Sequence, residues 1–349
     1  MKRKKTVRTK IFLHDCMQGI INRLQDEKKY ASVHTYGSTL NSVSRFWIET
    51  GRATDGRETG NTFIPVHELF TPGCLKEYQE WIRSHDGSWN TVSTYMRTLR
   101  AVYNRILPMD GTDNPHFHKL FAGIYTQVIP RTKRSLNTER MNDILHADRY
   151  SLPESLRLPL DYFCLMFLFR GMPFIDLAYL RKQDVNGDEI VYCRHKTGRQ
   201  LSVHIPREAR RLFDRCRDRN TDSGYLFPIL SSPDKDRSPD HDAHLHECYL
   251  QALRHFNRSL QQLSVLLTPG AKLSSYTPRH TWATLAFHSG IPVGVISKAL
   301  GHSSVRVTET YLRPFENSKV DAANYELINS VMKYKKRKND LGNSCFTAL

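Results

Sequence analysis

The chain lacks the features of a membrane protein and of a nucleotide- or metal-dependent enzyme. Its densest apolar run, Tyr162–Phe169, is about half as long as the ~20 residues that span a bilayer, so we expect a buried core helix there. No glycine-rich loop leads into a Lys-Ser or Lys-Thr pair, which excludes a phosphate-cradling nucleotide site. No cluster of carboxylates suits two-metal phosphoryl transfer. We therefore expect no cofactor and no metal.

Cysteine and secretion signals are also poorly represented. The chain has seven cysteines, an odd number, and none lies in a Cys-x-x-Cys motif, which predicts reduced thiols in a reducing compartment. The basic N-terminus is followed by His14 and Asp15 in place of a long apolar region, so no signal peptide is expected. The tract His241–Cys248 has zinc-ligand residue types at helical spacing. It has no second ligand pair, and a solvated helix start is the favoured interpretation.

Acidic residues are missing from a long stretch near the C-terminal end. No Asp or Glu occurs between Glu247 and Glu309, although six Lys and Arg residues fall there. The whole chain carries 51 Lys and Arg against 35 Asp and Glu, a formal net charge of +16. This imbalance favours a polyanionic partner, either nucleic acid or an anionic membrane surface.

Apolar periodicity predicts a mainly helical protein with one small β-hairpin, in two domains. Two helical patterns follow Ile11, and another runs from Ser88 to Ile106. Alternating residues at 189–196 and 200–205, joined by Thr197-Gly198-Arg199, predict the hairpin. The expected divisions are a basic tail (1–10), a helical domain (11–125), a basic linker (126–137), an α+β domain (138–334) and a flexible tail (335–349). A short helix is expected to begin at Asn114-Pro115.

The residue types present suit phosphodiester cleavage by a protein nucleophile. A tyrosine phenol can attack phosphorus when fixed Arg and His donors hold the developing charge. Tyr311 follows His302 by nine residues, with Gly301 and a helix start close by. One tight turn and two helical turns bring such side chains to one site.

Three boxes in this region resemble those of the tyrosine recombinases, the phage integrase family. They are Thr277-Pro-Arg-His-Thr-Trp-Ala-Thr284, Leu300-Gly-His-Ser303 and Thr308-x-x-Tyr311. The likeness covers roughly residues 138–333, and the helical first domain resembles the family's core-binding domain more weakly. The resemblance also favours the branch of integrases carried by conjugative and mobilisable elements, through the pattern Arg170-Gly-Met-x-Phe174.

The resemblance implies a catalytic role for each matching residue. Tyr311 would be the nucleophile that forms a 3′-phosphotyrosine, Arg279 would clamp the scissile phosphate, and His302 would donate to its oxygens. Lys196, at the hairpin tip, would be the acid for the leaving 5′ oxygen. The alternative for Lys196 is an ordinary hairpin-turn lysine.

Two positions depart from the family pattern. Tyr276 stands where most relatives have a His; its phenol can hydrogen-bond a phosphate oxygen but carries no imidazolium charge. Pro173 occupies the position expected for the first catalytic Arg, and Arg170 lies three residues earlier. Because a guanidinium can reach across one turn, we assign that role to Arg170. The alternative is a cation that caps the C-terminus of the preceding helix.

The sequence therefore predicts a site-specific DNA recombinase, an enzyme that integrates, excises or inverts a mobile segment. The implied partners are double-stranded DNA with specific recombination sites and a homotetramer in the synaptic complex, with DNA-bending accessory proteins as optional additions. We expect a bacterial, cytoplasmic, nucleoid-associated protein with no membrane partner. The alternatives are a type IB topoisomerase-like enzyme and a catalytically silent DNA-binding or excision accessory protein.

Overall fold

The computed structural model describes residues 11–53, 62–106, 120–127, 135–230, 241–312 and 317–343. The chain divides into two compact units, residues 1–131 with 237–246 and residues 132–236 with 247–349. The predicted tail 1–10, the helix expected at Asn114-Pro115 and most of the predicted linker lie outside the described residues.

The first unit is helical, as its apolar spacing predicts. Its helices pack their apolar faces around one core that includes Met17, Trp47, Leu75 and Met96. The threonine hydroxyl of Thr71 caps a helix that begins with proline, an arrangement suited to the first turn. The helices are α1 Leu13–Asp26, α2 Tyr30–Glu49, α3 Val66–Leu69, α4 Pro72–Ser84 and α5 Trp89–Ile106.

The chain from residue 138 onward combines helices with one small sheet. Helix α7 is apolar on nearly all sides and lies in the core of the second unit, with Leu165 and Met166 fully buried. The helices are α6 Thr138–Leu145, α7 Glu154–Leu168, α8 Phe174–Tyr179, α9 Arg207–Cys216, α10 His241–Leu267, α11 Thr277–His288, α12 Val293–Ala299, α13 Val305–Glu309 and α14 Asn317–Asn343. Within the described ranges, no helix has both the length and the apolar character needed to cross a membrane.

The sheet contains the predicted hairpin and one additional short strand. Strands β1 Val185–Asn186, β2 Glu189–Cys193 and β3 Gln200–His204 are antiparallel in the order β1-β2-β3, with Val191 opposite Ser202. The first hairpin strand ends at Cys193, three residues before the predicted end. The six residues 194–199 form the loop, because the Arg194 amide donates to the Arg199 carbonyl and the Gly198 amide donates back to Arg194, both at 2.8 Å.

The predicted fold class, mainly helical with a small antiparallel sheet, is confirmed. Two helices near the C-terminus differ from the sequence pattern. Helix α13 has only 5 residues, fewer than the two turns expected before Tyr311, so that Tyr311 lies in the turn that follows it. Helix α14 extends to Asn343, into the segment 335–349 that is predicted to be a flexible tail. Residues 344–349 lie outside the described residues.

Candidate active site

Arg279 lies at the centre of the site, in the first turn of α11. Its side chain is only 2% exposed, yet it is well supplied with partners. One terminal nitrogen donates to the Gly171 carbonyl at 2.9 Å, and the other donates to the Leu300 carbonyl at 2.6 Å and lies 2.9 Å from Nε2 of His302. Because a guanidinium has donors in a rigid fork, these contacts fix its orientation.

His302 is held as a neutral imidazole. Arg279 has no acceptor, so Nε2 of His302 accepts its hydrogen bond, and Nδ1 then carries the proton and donates to the Thr308 hydroxyl at 2.9 Å. Burial, followed by the positive charges of Arg279, Arg194 and Lys196, lowers the pKa of His302 to about 3. Near neutral pH, the ring therefore offers an unprotonated Nε2.

Tyr311 is half-buried between two imidazoles and a guanidinium. Its ring centre lies 5.0 Å from that of His302 and 4.6 Å from that of His280, with which it stacks. The guanidinium carbon of Arg279 lies 5.6 Å from the Tyr311 ring centre. The structure thus brings together Arg279, His302 and Tyr311, which the sequence boxes single out.

Local packing explains why these residues converge. A small apolar cluster of Ala283, Ala286, Ile296, Leu300 and Leu312 joins α11, α12 and the segment after α13. The Tyr311 backbone is fixed at both ends of its turn, since its amide donates to the Thr308 carbonyl at 2.9 Å and its carbonyl accepts from Thr284 at 3.3 Å.

Lys196 is exposed in the β2–β3 loop. Its charge is the last of the causes that lower the pKa of His302, after burial, Arg279 and Arg194. The loop is held to the protein interior, because the amide of His195 donates to a carboxylate oxygen of the buried Asp176 at 2.9 Å.

Arg170 lies at the end of α7 in an unusual backbone conformation. Arg170 and Gly171 have φ of 58° and 69°, so two successive left-handed residues reverse the chain. The Arg170 guanidinium donates to the Ser202 carbonyl of β3 at 3.2 Å. Burial raises the pKa of the Tyr192 phenol, and the charge of Arg170 is one of the smaller causes that lower it. In this structure, Arg170 is thus directed to the sheet beside the site.

Tyr276 precedes the first turn of α11 and is 59% exposed. The pKa of its phenol is raised, first by partial desolvation and then by the neighbouring phenol of Tyr311, while Arg279 opposes both effects. Tyr276 is therefore close enough to Tyr311 and Arg279 for their charges to act on its phenol.

Sequence reasoning missed Arg194 and Asp176. Arg194 is buried, donates to the Gly301 carbonyl at 2.7 Å and has its Nε 3.9 Å from a carboxylate oxygen of Asp176. Burial raises the pKa of Asp176, whereas the His195 amide, Arg194 and Arg279 lower it. The only signals in the sequence were an acid within the apolar segment Phe174–Tyr179 and an Arg two positions before Lys196.

The buried charges leave a positive excess. Burial and the nearby Arg194 lower the pKa of Arg279, whereas Tyr311 and Asp176 raise it. Two buried guanidinium groups thus face one buried carboxyl group. Such an arrangement favours the entry of an anion such as a phosphodiester, whose charge would offset the excess.

Metal ligands are not grouped in the described part of the chain: no set of three or more His, Cys, Asp or Glu side chains there is arranged to hold an ion. This includes the described tract His241–Cys248, which forms the start of α10.

The sequence profile of the phage integrase family matches residues 134–318, slightly more than half of the chain. The chain belongs to this family, as its boxes predict.

Relatives and solved structures agree with this assignment. Transposase B from transposon Tn554 of Staphylococcus aureus, in strains Mu50 and N315, is 25% identical over 243 residues, which are 66% of this chain and 35% of the relative. The chain thus spans about a third of the length of these curated relatives.

Two solved structures show the same fold at low sequence identity. A lambda integrase dimer bound to a COC′ core site is 16% identical, with a TM-score of 0.55 and coverage of 87% of this chain and 77% of that one. The Tn1549 transposon integrase in complex with a circular intermediate DNA is 13% identical, with a TM-score of 0.51 and coverage of 82% and 99%.

Proposed function

We propose that this protein is a site-specific DNA recombinase that cuts and rejoins duplex DNA through a 3′-phosphotyrosine intermediate. The observation that carries the proposal is the convergence of Arg279, His302 and Tyr311 in one positively charged site. Membership of the phage integrase family and the DNA-bound integrases of the same fold support it.

The cleavage step uses these groups in order. Arg279 turns its donor from Nε2 of His302 to the phosphate, which frees the lone pair of that nitrogen. The phenolic oxygen of Tyr311 forms a bond to phosphorus while its proton passes to Nε2, which is unprotonated in the free protein. The bond from phosphorus to the 5′ oxygen breaks, and Lys196 gives that oxygen a proton. Arg279 donates to the oxygens that gain charge. The imidazolium formed on His302 then becomes the phosphate donor expected from the family.

Rejoining is the same sequence in reverse. A 5′ hydroxyl attacks the phosphotyrosine, Tyr311 leaves, and Lys196 and His302 exchange their protons in the opposite direction. Because the phosphotyrosine conserves the energy of the broken phosphodiester bond, this step needs no nucleotide cofactor.

Arg170 and Tyr276 complete the proposed set of catalytic residues. Tyr276 donates its hydroxyl to a phosphate oxygen in place of the usual imidazole. Arg170 releases the Ser202 carbonyl and donates to the phosphate as a second guanidinium. The flexible arginine side chain permits this movement.

The domain roles follow from the same proposal. Residues 11–125 bind DNA as the helical core-binding domain, residues 126–137 form the linker, and residues 138–334 carry the chemistry. The substrate is double-stranded DNA with specific sites, in the bacterial cytoplasm and associated with the nucleoid, with accessory bending proteins as optional partners.

Four copies act together on two duplexes. Helix α14 offers a surface for assembly, because it exposes Tyr325, Leu327, Val331 and Met332. Light scattering of the protein with and without site DNA tests this assembly. A complex that contains only one protein copy in the presence of site DNA would contradict it.

A covalent-trapping experiment tests the proposed function. Host genomic DNA is sheared, lightly nicked and incubated with the protein, and the DNA that stays bound in denaturant is sequenced. A nick shortly downstream of the cleaved bond lets the short fragment with the free 5′ hydroxyl diffuse away. The covalent adduct then accumulates, and the DNA attached to it identifies the site. We expect adducts with the wild type and with Tyr150→Phe, an exposed control outside the proposed site and assembly surface, and none with Tyr311→Phe.

The same experiment separates the alternatives. A catalytically silent accessory protein binds DNA but forms no covalent adduct. A topoisomerase-like enzyme forms adducts with many unrelated sequences. A covalent adduct with Tyr311→Phe would show that another residue is the nucleophile.

A further inference from the structure

Three consecutive carbonyl groups beside the candidate catalytic histidine each accept a hydrogen bond from a different arginine. Arg279 donates to the carbonyl of Leu300 at 2.6 Å, Arg194 to that of Gly301 at 2.7 Å, and Arg199 to that of His302 at 3.0 Å. We call this set of three bonds the carbonyl clamp.

The carbonyl clamp supplies donors to backbone carbonyl groups that have no donor within helix α12. Leu300 caps the C-terminus of α12, and Gly301 follows in a left-handed conformation with φ of 63°. Carbonyls at the end of a helix lack intrahelical donors and carry partial negative charge, so guanidinium groups stabilise them. A Cβ at Gly301 would lie 2.9 Å from the Leu201 side chain, which shows how closely the hairpin and this turn approach.

Two of the three arginines flank the loop that carries Lys196. The amide of Arg194 donates to the carbonyl of Arg199 at 2.8 Å, so the two residues close the loop at its base. Their side chains reach the carbonyls of Gly301 and His302. The loop with Lys196 is therefore fastened to the His302 turn at both of its ends.

Among the described residues, none holds the Lys196 side chain by a hydrogen bond or an ion pair like those of Arg194 and Arg199. The stem of Lys196 is flexible and the residue is exposed. The reach of its ammonium group to a leaving oxygen therefore depends on where the loop is held, and an error of about 1 Å in such positions lowers rates by about 10²-fold.

We propose that Arg194 and Arg199 are positioning residues that hold the Lys196 loop in register with His302, and so place the general acid at the leaving 5′ oxygen. This inference rests on the proposed recombinase function, in which Lys196 protonates that oxygen. It assigns the two arginines a role in leaving-group departure.

A substrate with an altered leaving atom tests this role. In a 5′-bridging phosphorothiolate, sulfur replaces the 5′ oxygen at the cleaved bond, so attack by Tyr311 breaks a P–S bond and releases a thiolate. A thiol ionises near pH 8.5, several units below an alcohol, so that no proton from Lys196 is needed. The oxygen and sulfur substrates are made with the site sequence found by covalent trapping.

Arg199→Gln is the main variant, because Arg199 lies on the surface and its loss leaves the core intact. We expect it to form the adduct about 10–100-fold more slowly than wild type on the oxygen substrate. On the sulfur substrate, we expect its rate to be within about threefold of wild type. Lys196→Ala should show the same rescue, and Arg199→Lys should recover part of the rate on the oxygen substrate. Arg194→Gln should be rescued only in part, because the Arg194 guanidinium also contributes to the positive charge of the site.

Two controls bracket the result. Arg210→Gln removes one surface charge that pairs with Asp188, away from the clamp, and should match wild type on both substrates. Arg279→Lys loses a phosphate donor and should stay slow on both.

An Arg199→Gln variant that is equally slow on both substrates, or unimpaired on the oxygen substrate, would overturn the positioning role. A general loss of structure produces no rescue by sulfur, so it counts against the role as well. A wild type that forms no adduct with either substrate would instead refute the proposed function.

Discussion

The guanidinium of Arg279 donates a hydrogen bond of 2.9 Å to Nε2 of His302, and both side chains are buried. Because Arg279 stays charged, this bond and the burial keep the imidazole neutral. The base form of His302 is thus present in the free protein. In the proposed mechanism, the negative charge of a bound phosphate would favour protonation of the ring during cleavage.

This relationship predicts a pH dependence of stability. The pKa of His302 is about 3 in the folded protein and about 6.5 in an unfolded chain. Between these values the unfolded state binds a proton that the folded state does not, so stability falls as the pH falls from 6.5 towards 3. His302→Asn removes this titration.

We expect the loss of melting temperature between pH 7.5 and 4.5 to be smaller in His302→Asn by about 2–4 °C, after allowance for solvent screening. Differential scanning calorimetry at the two pH values provides the measurement. Parallel losses in both proteins would show that His302 does not titrate differently on folding.

Arg279→Lys should impair both stability and cleavage. An ammonium group lacks the guanidinium fork, so it leaves the Gly171 or the Leu300 carbonyl without its donor in a buried place. This costs about 1–3 kcal/mol, and loss of a phosphate donor slows adduct formation by about 10²-fold or more. Urea unfolding and single-turnover cleavage test the two effects, with the exposed Arg254→Lys as control. A fully active Arg279→Lys protein would contradict the central role of this residue.

Gly171→Ala should disturb the site through the backbone. Gly171 has φ of 69°, and a Cβ there would lie 2.9 Å from the Cα of Arg279. Gly187, with φ of 59° and open space around it, is a matched control that isolates the conformational cost. We expect about 1 kcal/mol of destabilisation for Gly187→Ala and at least about 1 kcal/mol more for Gly171→Ala. Equal losses in chemical denaturation would mean that the close approach to Arg279 relaxes freely.

Asp161 is expected to matter for stability and not for chemistry. This buried carboxylate in α7 accepts two hydrogen bonds from Arg215, at 2.9 and 2.8 Å, and one from Arg149 at 3.1 Å. Because both arginines are partly exposed, Asp161→Asn should cost about 2–3 kcal/mol, less than a fully buried pair would. Asp188→Asn, from the exposed pair with Arg210, is the control and should leave stability nearly unchanged.

The Asp161 variant should form adduct at the wild-type rate below its melting temperature. A specific loss of rate in the folded variant would connect α7 to the active site, and this prediction would then be wrong.

Tyr276→Phe tests the phenol that stands in place of the usual histidine. Loss of one hydroxyl donor to a charged phosphate should lower the rate of adduct formation about 10-fold. Tyr276→His should recover activity below neutral pH, where an exposed imidazole becomes charged. The pH profile of single-turnover cleavage separates these two variants, and an unchanged rate for Tyr276→Phe would remove Tyr276 from the phosphate site.

Much of the fold could be predicted from local sequence. Helical periodicity placed α1, α2 and α5 because a helix in a globular protein must bury one face. The hairpin followed from alternation around a Gly-containing turn. Strand and helix ends were less predictable, since the end of β2 depends on the loop closed by Arg194 and Arg199, and α13 stops short so that Tyr311 can pack in a turn.

The candidate site divides in the same way. Arg279, His302 and Tyr311 could be found because they lie within 33 residues and in motif-like boxes. Arg194 could not, because its partner carbonyl at Gly301 is 107 residues away, and an arginine near a turn is usually a solvated surface residue.

The sequence by itself determined the family, the mainly helical class, the basic character and the identity of the candidate nucleophile, since these depend on residue types and short spacings. Only the tertiary structure decided the protonation state of His302, the direction of Arg170 and the attachment of the Lys196 loop to the His302 turn. Those properties depend on burial and on hydrogen bonds between distant segments, and neither exists until the chain has packed.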